Sequence, residues 1–293
     1  MTIIVLGAGA IGSVYAAHLA RHHDVTLIAR KPHVDAVNRD GLRIGGRADF
    51  VARVRAATAV EAVPPNALVL LTTKVNGNHD AAMSLRDHVR EDTTILCVQN
   101  GLGGDEIVKS VLPRRAAVLR GVTQFGAIFA GPGVIDLKVI GYTLIEAHER
   151  SAAIAHALTL SGLDGRVSSD ITTDVWRKLI FNCVINPITA IIGSEVGAIA
   201  DARLDPLKQL VIDECVAVAR AEGVTFETTD FQQALRDVFG PSRNIASMRQ
   251  DLIQRRPTEI DHMNGAVVAR GLAHGIPCPV NAALVAIIRA MEQ

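Results

Sequence analysis

Residues 7–12 read Gly-Ala-Gly-Ala-Ile-Gly and follow directly on the apolar run Ile3-Ile4-Val5-Leu6. An apolar strand runs into a glycine turn and then into a helix at the very start of the chain. With 24 glycines in 293 residues a GxGxxG arises easily by chance, so position gives this one its weight. In a strand–turn–helix unit Gly7 permits the tight turn, Gly9 lets a pyrophosphate approach the backbone, and Gly12 lets helix and strand pack closely. The helix that follows, Ala10 to about Arg21, aims its free N–H groups and positive dipole end at the phosphates. Gly7, Ala8, Gly9, Ala10, Ile11 and Gly12 are therefore the expected dinucleotide-binding turn.

An NAD site usually places a carboxylate about 20 residues beyond the first glycine, at the end of the second strand. The second strand here is Val25-Thr26-Leu27-Ile28, and it ends in Ala29-Arg30-Lys31 with no acid; Asp24 stands at the opposite end. Two cations in that place suit a 2′-phosphate, which a guanidinium grips bidentately. NADP(H) is the expected cofactor, with Arg30 its principal contact and Lys31 in support.

The length exceeds one typical domain and suffices for a sizeable core. Apolar residues make up 49% of the chain and aromatic ones only 3%, so Ala, Val, Ile and Leu must fill that core. Lys plus Arg and Asp plus Glu both number 30, which removes the electrostatic footprint of a partner nucleic acid or anionic membrane. The four cysteines, Cys97, Cys183, Cys215 and Cys278, show no CxxC or metal spacing and read as buried thiols of a reducing compartment. The N-terminus lacks a signal peptide's basic leader and unbroken apolar segment, and no apolar run reaches the roughly 18 residues of a membrane span. A cytoplasmic protein is expected.

The first half alternates strand and helix, and from about Asp170 the strands stop. Ala67 to Leu71, Thr94 to Val98 and Ala116 to Leu119 are continuous apolar strands, as a parallel sheet buried on both faces requires. Gly131-Pro132-Gly133 splits a strand-like stretch, which predicts a hairpin at the sheet edge. The expected fold is α/β: a Rossmann-type doubly wound domain over 1–168, then an all-helical domain over 169–293.

Three clusters look chemical. Thr72-Thr73-Lys74 and Gln99-Asn100-Gly101 follow two parallel strands at their carboxyl ends, where open α/β folds bind ligands. Lys178, Asn182 and Asn186 are spaced i, i+4, i+8 and share one face of a helix rich in Leu179, Ile180, Phe181, Val184 and Ile185. Such polar groups in an apolar helix are costly unless something satisfies them. The plainer reading is a snorkelling lysine, with Asn186 ending the helix before Pro187. The third cluster is Asn244, Ser247, Asp251 and Thr258-Glu259. Here Thr258 and Asp261 also read as a capping box, with Glu259 stabilising a first helical turn.

These stretches carry a resemblance to the ketopantoate reductase (2-dehydropantoate 2-reductase) family over almost the whole length. The matching residues are the glycine turn, Thr73-Lys74, Gln99-Asn100-Gly101, Trp176-Arg177-Lys178-Leu179 through Asn186-Pro187-Ile188-Thr189-Ala190, and Ser247-Met248. Asp251, Arg256 to Asp261, Asn264-Gly265 and His274-Gly275-Ile276 complete them. The resemblance implies a helical domain like the C-terminal one of 6-phosphogluconate dehydrogenase, with the active site in a cleft between the domains. It implies NADPH-dependent reduction of ketopantoate to pantoate, towards pantothenate and coenzyme A. It also implies Lys178 as proton donor with Glu259 as companion, Asn182, Asn186, Asn244 and Ser247 on the substrate, and Lys74, Asn100 and Ala127 near the cofactor. Two departures bear on substrate identity more than reaction type: Val75-Asn76-Gly77-Asn78 follows Lys74, and Val196 stands where some members have asparagine.

The chemistry makes the same assignment from the residues. Hydride delivery to a ketone leaves an alkoxide, and an ammonium both stabilises and quenches that charge. Partners are then a small 2-keto acid, with no nucleic acid and no membrane, and with room for a homodimer. The alternatives are a paralogous reductase of another 2-keto acid, an opine-type dehydrogenase, or a non-catalytic NADP(H)-binding sensor. No HExxH, GxSxG or Walker A pattern points to hydrolysis or metal binding.

Overall fold

The computed structural model describes residues 1–113, 116–226 and 229–292. They form two compact units, one of residues 1–99 with 104–171 and the other of residues 100–103 with 172–293. No helix among the described residues is long and apolar enough to cross a membrane.

Among the described residues the strands of the first unit are β1 (Thr2–Leu6), β2 (Asp24–Ile28), β3 (Leu42–Gly46), β4 (Phe50–Ala52), β5 (Arg55–Ala57), β6 (Leu68–Leu71), β7 (Thr94–Cys97), β8 (Ala117–Thr123), β9 (Gly126–Gly131), β10 (Val134–Val139), β11 (Thr143–Ile145) and β12 (Gly165–Val167). Its helices are α1 (Ala10–Leu19), α2 (Lys31–Asp40), α3 (Asn78–Leu85), α4 (Gly104–Val111) and α5 (Ser151–Leu160). The main sheet runs β12-β11-β8-β7-β6-β1-β2-β5, parallel from β5 through β8. That stretch is the doubly wound order, and its direction reverses between β1 and β6. Successive residues of a strand face opposite sides. Ile3, Val5, Leu68 and Leu70 accordingly enter one core, while Ile4, Leu6, Val69 and Leu71 enter the other.

The hairpin at Gly131-Pro132-Gly133 forms, but not at the edge of this sheet. β9 and β10 join β3 and β4 in a second sheet of order β4-β3-β10-β9, with β3 and β10 parallel. The edge position next to β2 is taken instead by β5. All four cysteines are buried and unpaired as expected, and burial pushes the Cys97 thiol up to about 12.

The second unit is helical: α6 (Ile171–Ile191), α7 (Asp205–Ala221), α8 (Phe231–Ala234), α9 (Ser247–Ile253), α10 (Asn264–Ala273) and α11 (Pro279–Met291). Gly223 and Gly275 take positive φ just past α7 and α10, where a helix end favours glycine. α6 does not stop at Asn186, because Pro187 lies inside it. The helix expected from Glu259 is also broken: a 3₁₀ turn, Ile260–His262, precedes α10.

Candidate active site

In the first unit the glycine turn lies beside β6, at the point where strand order reverses. Thr72 donates its hydroxyl to the carbonyls of Gly7 (2.8 Å) and Leu6 (3.2 Å). Gly7 has φ +108, and a Cβ there would collide with the backbone of Thr72 and Thr73; one on Gly12 would collide with the Gly7 carbonyl and the Thr72 hydroxyl. Protein packing therefore accounts for two of the three glycines. It does not account for Gly9, where nothing lies within 4 Å of the place a Cβ would occupy. Gly9 is the N-cap of α1, makes no side-chain cap there, and the first-turn N–H groups of a helix lack partners within it. This open cradle fits a pyrophosphate on the helix N-terminus.

Arg30 directly precedes α2 at the end of β2, is exposed, and makes no ion pair among the described residues. Lys31 is instead paired with Asp35 at 3.0 Å. Ala127 lies in β9 of the second sheet and packs against the core that α1 covers. Lys74 is exposed and directly follows the Thr72–Thr73 pair. Thr73 and Gln99 have internal roles. Thr73 donates to Asn78 Oδ1 (2.9 Å), and buried Gln99 donates to the same oxygen (3.0 Å).

In the second unit, α6 presents Lys178, Asn182 and Asn186 at one-turn intervals, the first two half-buried and the third 5% exposed. Asn186 Oδ1 accepts from the Ser247 hydroxyl at 3.2 Å and from the Met248 N–H at 3.5 Å. Asn186 thus holds the first turn of α9 and aims Ser247. Asn244 is fixed through its backbone, its carbonyl accepting the N–H of Val196 at 2.8 Å. A hollow of about 710 Å³ opens beside it, lined by Gly197, Ser242, Arg243, Ile245 and Arg249.

Glu259 is 9% exposed and sits at the head of the 3₁₀ turn. The capping box does not form. Thr258 Oγ1 accepts from Ile260 N–H (3.2 Å), and Asp261 pairs with Arg289 (2.7 Å). The segment 100–103 belongs to this unit because Leu102 N–H donates to the His262 carbonyl at 2.9 Å. Asn100 and Glu259 are thereby brought onto two hydrogen-bonded segments.

The fully buried ammonium is not Lys178. Lys208 on α7 is 0% exposed, donates to the Ile199 carbonyl at 2.8 Å and pairs with Asp205. Three residues after an aspartate on an amphipathic helix, it reads as a surface residue, and no local pattern signals its burial.

The family model described as ketopantoate reductase PanE/ApbA matches residues 3–150, and its C-terminal counterpart matches residues 170–292. The chain belongs to the ketopantoate reductase family. A 2-dehydropantoate 2-reductase of Pyrococcus horikoshii is 33% identical over 299 residues, covering 100% of this chain and 98% of that protein. One of Vibrio cholerae is 33% identical over 303 residues with the same coverage. Among solved structures, a PanE/ApbA family ketopantoate reductase of Ralstonia eutropha JMP134 aligns with TM-score 0.92 at 33% identity, over 100% of this chain and 98% of that one. The ternary structure of D-mandelate dehydrogenase with NADH and anilino(oxo)acetate aligns with TM-score 0.90 at 26% identity, over 100% and 98%. Membership makes the protein an oxidoreductase of the ketopantoate reductase class.

Proposed function

We propose that the protein reduces ketopantoate to pantoate with NADPH. The observation that carries the cofactor half is the open space at Gly9, between two glycines that the protein itself requires. Arg30, exposed after the end of β2 and with no ion pair among the described residues, supports the phosphorylated form. When bound, the nicotinamide supplies the hydride. The glycine turn and the α1 N-terminus hold the pyrophosphate, and Arg30 grips the 2′-phosphate.

The chain's own residues supply charge and orientation. Lys178 Nζ stabilises the oxygen of the reacting carbonyl and gives it a proton, the role an ammonium performs best. Glu259 is the companion carboxylate of that ammonium. Asn182, Asn244 and Ser247 bind the carboxylate and hydroxyl of the substrate, with Asn186 holding Ser247 in place. Lys74, Asn100 and Ala127 line the cofactor. The full-length similarity to proteins named 2-dehydropantoate 2-reductase supports ketopantoate as the keto acid.

A second reading is a dehydrogenase of another 2-hydroxy acid, favoured by the similarity to D-mandelate dehydrogenase. The test is consumption of NADPH and of NADH with ketopantoate and with phenylglyoxylate. The first reading predicts the highest kcat/KM for NADPH with ketopantoate. Preference for NADH with phenylglyoxylate would establish the second.

A further inference from the structure

The second unit holds a chain of polar side chains, half-buried at Glu214 and fully buried beyond it, that the proposed site does not include. Glu214 on α7 accepts from the backbone N–H groups of Val280 (2.8 Å) and Asn281 (2.9 Å) in the first turn of α11, and from Asn281 Nδ2 (2.7 Å). Asn281 Oδ1 accepts from Asn264 Nδ2 at 2.8 Å. The same amide nitrogen makes a second donation, at 3.0 Å, to the carbonyl of Cys183 in α6. Both asparagines are 0% exposed.

Cys183 is the residue four before Pro187. In an unbroken α-helix its carbonyl accepts the N–H of residue 187, and proline has none. α6 nonetheless continues through Pro187 to Ile191. A buried carbonyl without a donor is expensive, and Asn264 is the donor. Its own Oδ1 has no hydrogen-bond partner among the described residues. A buried amide with an idle acceptor is explained by its donors, and here they go to Cys183 and Asn281.

We propose that Asn264 is a positioning residue that stands in for the N–H missing at Pro187 and so fixes the pitch of α6 between Asn182 and Asn186. The inference rests on the reading that the polar face of α6 meets the substrate. Asn186 is pinned by Ser247 and Met248 on one side of the break. Lys178 and Asn182 lie on the other. A change in tilt at the Cys183 carbonyl therefore moves the proton donor relative to the fixed amide, since prolines bend helices wherever their lost bond is not replaced.

A two-residue cycle tests this, with thermal melts and steady-state kinetics on NADPH and ketopantoate. Asn264→Ala removes the donor, Pro187→Ala restores the helix's own N–H, and the double variant does both. Asn264→Ala is expected to lower Tm and to reduce kcat/KM roughly 10- to 100-fold, the scale of a small misplacement of reacting groups. Pro187→Ala should stay near the parent, and the double variant should recover most of both losses. Asn264→Leu, which fills the volume without donating, replaces Asn264→Ala if the latter does not fold. The proposal is overturned if the double variant is as impaired as the single, or if a folded Asn264 variant keeps parental kinetics. A parent that reduces no 2-keto acid would instead remove the reading of the site, and recovery of Tm in the double variant would then decide whether Asn264 replaces the missing bond.

Discussion

The backbone N–H of Leu102 donates to the carbonyl of His262 across 2.9 Å, tying the loop after β7 to the turn headed by Glu259. Gly101 makes this approach feasible. Its φ is +80, and a Cβ there would collide with the same His262 carbonyl. Gly101→Ala should lower stability by more than the roughly 1–2 kcal/mol that positive φ alone costs an alanine. It should also lower kcat by displacing Asn100 and Glu259. Thermal melts with steady-state kinetics check both.

The glycine turn yields a paired prediction. Gly9→Ala adds a methyl group to open space, so stability should change by no more than about 0.5 kcal/mol. NADPH affinity should fall at least about tenfold, because the pyrophosphate loses its close approach. Gly12→Ala forces a methyl group onto the Gly7 carbonyl and the Thr72 hydroxyl, and should destabilise by about 1–3 kcal/mol. Melts and fluorescence titration with NADPH separate the two outcomes.

Arg30→Ala should weaken NADPH binding about 10- to 100-fold, the worth of a hydrogen-bonded charge, and leave NADH unchanged. Titration of both cofactors checks the ratio. Equal affinities in the parent would contradict the assignment of the 2′-phosphate.

Stability should fall on acidification. Burial holds His18 and His33 below their ordinary value of 6.5. His33 Nδ1 accepts from Gly133 N–H at 3.0 Å, which leaves the proton on Nε2, directed at the Ser13 hydroxyl 3.2 Å away. Below about 6.5 the unfolded chain takes up protons that the folded chain refuses, so stability is full above that pH and is lost towards the lower folded values. Melts from about pH 7 to about pH 5 should show falling Tm, with a shallower slope for His33→Asn.

Much of this was legible in the sequence because it is local. The glycine turn, the apolar parallel strands and the i, i+4, i+8 placement of Lys178, Asn182 and Asn186 follow from short-range periodicity. What was not legible depends on partners far along the chain. β3 pairs with β10, so the second sheet could not be read from either segment. The long helix through Pro187 is legible from its apolar run, but the donor that meets the Cys183 carbonyl, Asn264, lies 81 residues further along the chain. That the Asn186 oxygen receives Ser247 and Met248 depends on a segment 61 residues further along the chain. Lys208 becomes a buried charge only because the Ile199 carbonyl and Asp205 receive it.

In the proposed reaction the Lys178 ammonium protonates the reduced carbonyl oxygen. The rate of NADPH oxidation with saturating ketopantoate, measured for the parent and for Lys178→Ala, tests it most directly. A fall in kcat of roughly 10²–10⁴-fold with unchanged NADPH affinity is the predicted result. A folded Lys178→Ala protein with near-parental kcat would contradict it.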